Sequence, residues 1–442
     1  MSAVVAPPLP LPPGSFGLPL VGEMNHWWLD PLTFAQERHA RYGPVFRTHL
    51  LGRPCAVLLG PEANRFVLSS HMHLFSSRAG WSPTLISLIG NGLSLIDGAH
   101  HRRHRTMIMP ALHATAIPRY FDLMQQLATE HAERWVRAGQ IKLFEGFKHL
   151  SFDIATAAIM GMTDGPEAQA FAEAFHVFSR GLFAFPAWKT PLVPYGRSWA
   201  AGRDLRTQLA AIIRQRRAAP DDSVLGMLVT ATDAEGQGFT DEELIDELLV
   251  LLWAGHDTIT SLLTWVYYEL LRHPMVLAHA REEQARVLGG GPLAPLHLKQ
   301  LPQLDRILRE AERLHPPAPG GFRGVAEEFV YAGYRIPAGW TVMYSSVFTH
   351  MMPELWSEPT RFDPERFAAP REEGNKPFHL IGFGAGPRVC VGLAFAQMQM
   401  RVVLSHLLQT VEFDLLPKQS FRPIPVPTKM PFDGLKVWVK GQ

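Results

Sequence analysis

The sequence predicts a mainly α-helical fold carrying small β-sheets (α+β), for three reasons. From about Arg102 to Ala280, apolar residues recur at three- and four-residue spacing, the period of amphipathic helices. Inside that stretch Thr240-Asp241-Glu242-Glu243 matches a capping box and His273-Pro274 a stop signal, bracketing one helix of about 33 residues, roughly 50 Å long. Short β-like runs lie near the N-terminus and again between Leu314 and Tyr344.

In chain order, a Pro-rich lead (residues 1–22) runs into a helix expected from about Asp30 to Tyr42, then into PVFRTHLL and PCAVLLG, two strands separated by Gly52. Proline-containing loops around Gly165, Ala187 and Pro220 interrupt the helical middle. The long helix has LLVLLWAGHDTITSLLTW at its centre. That is apolar enough for a membrane span, but His256, Asp257 and two threonines break it, so a helix crossing a globular core is expected. A further helix ends near Leu314, β-like runs such as EEFVYAGYRIPAG follow, and a loop-rich stretch leads to Cys390. After Cys390, LAFAQMQMRVVLSHLLQTVEF is again helical and ends in a β-like tail.

Length alone suggests about three domains, but no Gly/Ser linker, charge block or repeat divides the 442 residues, so a single domain over 1–442 is expected. With 47% hydrophobic residues and a formal net charge of +1, the chain reads as globular, with no nucleic-acid partner. Two cysteines, Cys55 and Cys390, exclude a disulfide framework and leave no cysteine cluster for zinc or iron-sulfur. Residues 1–22 lack the basic region and long apolar stretch of a signal peptide or transmembrane anchor. The expected compartment is the cytoplasm, with loose membrane association as a route for substrate uptake.

The loop FGAGPRVCVG spaces Phe383, Gly384, Gly386, Arg388, Cys390 and Gly392 ahead of a helix. A thiolate on a haem iron needs glycines that let backbone approach and aim N–H groups at the sulfur. An arginine nearby can neutralise a propionate, an aromatic ring can shield the sulfur, and the helix N-terminus favours the thiolate. The bland alternative, a small buried hydrophobe, suits Cys55. For Cys390 the matched positions arise by chance about once in ten thousand chains of this length.

With these residues the sequence resembles the cytochrome P450 superfamily, whose haem loop has the form Phe-x-x-Gly-x-Arg-x-Cys-x-Gly. Glu310-Ala311-Glu312-Arg313 matches its Glu-x-x-Arg helix and Pro364-Glu365-Arg366-Phe367 its arginine-bearing meander. Alone, Glu310 and Arg313 would be an ordinary solvated i,i+3 pair. The resemblance instead implies a buried triad of Glu310, Arg313 and Arg366. It also implies a prism-like helical body with haem b between the long helix and the helix after Cys390, the metal ligand.

Ala254-Gly255-His256-Asp257-Thr258 matches the family's acid-threonine segment, which makes Asp257 and Thr258 the expected catalytic pair for activating dioxygen. Gly255 costs about 1 kcal/mol relative to alanine mid-helix, and close approach to haem is one explanation. A hydroxyl beside an acid in an apolar cavity can hold water and relay protons. The plain alternative is that Thr258 bonds back to its helix and Asp257 pairs with a distant cation. Ile259 stands where the family commonly has a second threonine.

By the same resemblance, His101, Arg105, Arg323 and Arg388 bind the haem propionates, Phe383, Gly384 and Ala254 touch the cofactor, and Ala318 and Gly320 border the cavity. Arg102, Arg103 and His104 are expected on a solvated or partner-docking face. Trp81 to Leu95 and Phe171 to Trp188 fall where substrate-recognition loops lie, although any one residue there can equally be core.

PPGSFGLPLVGE, DPLTFAQERHARYGPVFRTHLLGRP and GPEANRFVLSS look most like the retinoic-acid hydroxylase branch. The implied reaction is hydroxylation of a retinoid, apocarotenoid or carotenoid, using dioxygen and two electrons. These come from NAD(P)H through a ferredoxin- or flavodoxin-type partner and its reductase. Two alternatives are a peroxide-driven hydroxylase of fatty acids, against which Asp257 and Thr258 argue, and a non-catalytic haem-thiolate sensor.

Overall fold

The computed structural model describes residues 9–18, 21–163, 165–185, 187–425 and 428–442. Residues 1–8, 19 and 20 of the Pro-rich lead lie outside the described residues. The chain divides into two compact units built from interleaved segments, so no single cut separates them. One comprises Met1–Ser82, Ala318–Arg361 and Ala369–Val389; the other comprises Pro83–Pro317, Phe362–Ala368 and Cys390–Gln442.

The first unit carries a five-stranded sheet in the order Val45–Leu50, Arg53–Leu58, Thr341–Tyr344, Gly321–Val325, Phe75–Ser76. The first two strands form the expected hairpin, with Leu50 opposite Arg53. Leu51 and Gly52 both have positive φ, the backbone that matches a two-residue turn to the twist of the strands. Strand alternation explains the core on either side. Cys55 and Val57 pack with Phe34, Phe46 and Leu50, whereas Ala56 and Leu58 pack with Val342 and Val67. Cys55 is fully buried and its thiol is pushed up to about 12 by burial, so it packs as the predicted inert hydrophobe.

The second unit is helical. Its principal helices include Gly98–Leu112, Phe121–Ala138, Leu143–Met160, Pro166–Ser179, Pro194–Ala218, Pro302–Leu314 and Leu393–Thr410, with a small three-stranded sheet near the C-terminus. The long helix spans Asp241–Arg272, 32 residues. Its capping box is complete: the Glu243 amide donates to Thr240 Oγ1 at 3.2 Å, and the Thr240 amide donates to Glu243 Oε2 at 2.8 Å. The stop falls at His273, ahead of Pro274.

Leu244, Leu248, Leu252, Leu263, Val266 and Leu270 are buried along this helix, and each such side chain contributes about 1.5–3 kcal/mol. By length and composition the helix could cross a membrane, but 78% of its most apolar window is buried inside the protein, as expected of a core helix.

Candidate active site

In the second unit the chemistry is carried by three helices and the residue before one of them. Cys390 precedes the helix Leu393–Thr410, which Gly392 caps. The cysteine is exposed, unlike Cys55. Desolvation by the surrounding protein raises its thiol, while the Gly392 amide and the Arg105 guanidinium act the other way. A thiol both accessible and desolvated faces a recess rather than open solvent. A Cβ added at Gly392 would lie 3.9 Å from the sulfur, so this glycine borders the thiol as predicted.

Gly386 lies in the first unit. Its φ of +66° excludes most side chains, and a Cβ there would lie 2.1 Å from the Leu68 carbonyl oxygen. Protein packing by itself demands this glycine.

His101 and Arg105 share one face of Gly98–Leu112. His101 is buried, and Arg105 is half-buried with no hydrogen-bond or ion-pair partner among the described residues. Burial lowers the Arg105 guanidinium, with the Cys390 sulfur opposing. A desolvated guanidinium without a protein anion is suited to a ligand carboxylate.

Two neighbours depart from the expected solvated face. Arg103 pairs with Asp233 at 2.6 Å and Glu243 at 2.8 Å, and His104 is buried against Glu247 at 2.7 Å; only Arg102 is exposed. The acids they meet lie more than a hundred residues downstream, which helical periodicity could not reveal.

On the long helix, Ala254 is exposed and Thr258 partly so, although the residues around them are core. They lie one turn apart and mark one open face. Thr258 Oγ1 donates to the Ala254 carbonyl at 2.8 Å. Asp257 lies 3.1 Å from His256 Nε2 and 4.0 Å from Lys148 Nζ. Burial pushes its carboxyl up, but His256, Lys148 and His176 together bring it below the ordinary range.

The plain pairings that the sequence allows, a helix back-bond and a distant lysine, are therefore both present. Neither removes the groups from chemistry, because a hydroxyl keeps acceptor capacity and an ionised acid can take a proton. Sequence reasoning assigns no role here to His256 or Lys148. His256 lies inside the motif, where its neighbours carry the family pattern, and nothing local marks Lys148.

A Cβ at Gly255 would meet only Ile159 Cδ1, at 4.0 Å. Among the described residues nothing requires the glycine, so Gly255→Ala is expected to stabilise the cofactor-free protein by about 0.5–1 kcal/mol in thermal unfolding. A loss of stability would mean that the methyl group meets a tighter neighbour than Ile159.

The Glu310 triad lies wholly in the second unit and is fully buried. Arg313 donates Nε to Glu310 Oε2 and Nη2 to Oε1, both at 2.8 Å, and Arg366 Nε donates to Oε1 at 3.0 Å. The Asp363 amide adds a fourth donor at 2.9 Å.

In the first unit, Arg323 and Arg388 line one small cavity whose other walls include Val67, Leu68, Phe75 and Ser77. Arg323 lies on the strand Gly321–Val325, donates to the Phe322 carbonyl at 2.8 Å and sits over the Tyr344 ring. Phe383 and Gly384 belong to this unit and are half-buried. Ala318 is exposed, and Gly320 has no room for a Cβ, which would lie 2.1 Å from the Tyr344 carbonyl oxygen. Of the proposed recognition segments, Phe171, Phe175 and Phe178 are core, whereas Phe185 and Trp188 are exposed.

An accessible cysteine at a helix N-terminus, a half-buried arginine without a protein anion and an open stripe at Ala254 and Thr258 together fit the haem that the cysteine loop implies.

Comparison with known proteins identifies the family. The family model described as Cytochrome P450 matches residues 12–433. A cytochrome P450 26B1 of Bos taurus is 33% identical over 445 residues, covering 97% of this chain and 86% of its own. A beta-amyrin 28-monooxygenase of Vitis vinifera is 30% identical over 448 residues, covering 97% and 91%. The solved structure of a retinoic acid-bound cyanobacterial CYP120A1 matches with a TM-score of 0.91 and 31% identity, over 98% of this chain and 100% of that one. The family match over residues 12–433, together with relatives at least 30% identical over nearly the whole chain, places it in the cytochrome P450 family, as a monooxygenase that uses haem b and electrons delivered from NAD(P)H through redox partners.

Proposed function

We propose that this monooxygenase hydroxylates an elongated isoprenoid, with a retinoid, apocarotenoid or carotenoid as the leading class. The observation that carries the reading is the likeness, over the full length of that neighbour, to a structure holding retinoic acid. A relative whose name specifies the triterpene beta-amyrin supports the broader isoprenoid class.

In this reading Cys390 would bind the haem iron through its thiolate, and His101, Arg105, Arg323 and Arg388 would hold the propionates. When bound, haem supplies the redox chemistry that divides dioxygen between substrate and water. Asp257 and Thr258 then manage protons on the open face of the long helix, Asp257 as an ionised acid and Thr258 through its hydroxyl. The chain acts as one domain in the cytoplasm, and a ferredoxin- or flavodoxin-type protein is the electron donor.

The test is optical titration of the haem-loaded protein with retinoic acid, a carotenoid and a long-chain fatty acid. A saturable low-to-high-spin shift of the Soret band is expected for an isoprenoid. A shift for the fatty acid alone would overturn the substrate class.

A further inference from the structure

Two consecutive acids on the long helix, Asp246 and Glu247, are buried, at 3% and 0% exposure. Both accept backbone amides from one short segment of chain. The Asn91 amide donates to Asp246 Oδ2 at 2.6 Å, and the Leu93 amide donates to Glu247 Oε2 at 3.1 Å. The second oxygen of each acid meets a side chain from another helix. Arg206, from Pro194–Ala218, donates Nη2 to Asp246 Oδ1 at 2.6 Å and to the Ile89 carbonyl at 3.1 Å, at the end of the helix Pro83–Ile89. His104 Nδ1 lies 2.7 Å from Glu247 Oε1. A buried carboxylate is costly unless its oxygens are hydrogen-bonded, and here all four have partners, so the pair specifies where residues 89–93 lie.

Two glycines let the segment come this close. At Gly90, with φ +90°, a Cβ would lie 2.3 Å from Asp246 Oδ1; at Gly92 it would lie 2.5 Å from Val250 Cγ2 and 2.7 Å from the Asp246 carbonyl oxygen. Asp246, Val250 and Ala254 follow one another at four-residue spacing along one side of the helix. The segment therefore rests one turn before Ala254, at the N-terminal end of the open stripe that Ala254 and Thr258 mark.

We infer that Asp246 and Glu247 are positioning residues: they clamp residues 90–93 against the long helix and so fix one end wall of the space that a ligand of the haem iron occupies. This rests on the reading that Ala254 and Thr258 face that space, and not on the isoprenoid class of the substrate.

The test uses the holoenzyme carrying Glu247→Leu, which removes the acceptor at similar size, or Glu247→Gln, whose side-chain oxygen can still accept the Leu93 amide while its N–H group faces His104. Hydrogen exchange read by mass spectrometry should be about 10-fold or more faster over residues 90–95 in Glu247→Leu and near the wild-type rate in Glu247→Gln. Should Glu247→Leu fail to fold, Arg206→Met, which alters a partly exposed side chain, takes its place with the same direction expected.

A second readout separates positioning from simple structure. Imidazole and 4-phenylimidazole both bind haem iron and shift the Soret band, so neither requires the substrate to be known. In Glu247→Leu the affinity for 4-phenylimidazole should fall several-fold, because the wall it rests on must be ordered on binding. Imidazole, too small to reach that wall, should bind as in the wild type, and Glu247→Gln should restore the affinity for the larger probe. Unchanged exchange over residues 90–95 would overturn the clamp. Faster exchange with both probes bound as in the wild type would overturn its role in the ligand space.

Discussion

Replacing Cys390 by serine is expected to abolish the thiolate-type spectrum of the reduced carbon-monoxide complex and to lower product formation by more than about 100-fold, the upper end of what losing a group that merely supports a metal ligand costs. The expectation follows from the contrast between the two cysteines. Cys55 is walled in on both faces of its strand, with a thiol pushed up to about 12, and cannot substitute. Cys390 is accessible, receives the Gly392 amide and sits at a helix N-terminus. Serine preserves shape but is far less readily ionised, so haem should be retained weakly or lost. Cys55→Ala serves as the control, with an unchanged spectrum and a small loss of thermal stability. A thiolate spectrum surviving in Cys390→Ser would refute the assignment of the ligand.

Glu310→Leu should cost about 3–5 kcal/mol, a large part of the 5–15 kcal/mol that typically separates folded from unfolded protein. A buried ion pair is weak evidence of net stabilisation, because desolvation offsets much of the attraction. Breaking one is another matter. Glu310 is the shared acceptor for two fully buried guanidinium groups and one backbone amide, and its removal takes an acceptor from all three at once. Arg313→Lys keeps the charge but loses the two parallel bonds to Oε1 and Oε2, so a smaller loss of about 1–3 kcal/mol is expected. Denaturant unfolding of the purified proteins measures both. A Glu310→Leu loss below about 1 kcal/mol would mean that neighbouring groups already compensate the arginines.

Much of the fold is legible in the order of residues. The capping box at Thr240 and the proline at 274 are local signals, and the long helix begins and ends where they indicate. The hairpin at Leu51-Gly52 and the helix after Cys390 are likewise written in short stretches. The motif spacing also carries the pairing of Glu310 with Arg366, which lies on a separate segment, because a family pattern records a tertiary contact that a single sequence does not display.

Local patterning misreads the region around Arg102 to His104. Three successive polar residues on an amphipathic helix look solvated, but Arg103 and His104 meet Asp233, Glu243 and Glu247, residues far along the chain that only folding brings near. The same limit applies around Asp257, which can be named from its motif while its neighbour Lys148 cannot, since Lys148 comes from another helix.

By itself, then, the sequence determined the helical class and the boundaries of the long helix, because these rest on periodicity and capping along one stretch of chain, while the proposed roles of Cys390, Asp257 and Thr258 come from motifs shared with a family. Tertiary structure alone decided which glycines are required by neighbouring backbone and, among the described residues, that Arg105 is left without a protein anion, because each depends on distances between atoms that sequence separation does not constrain.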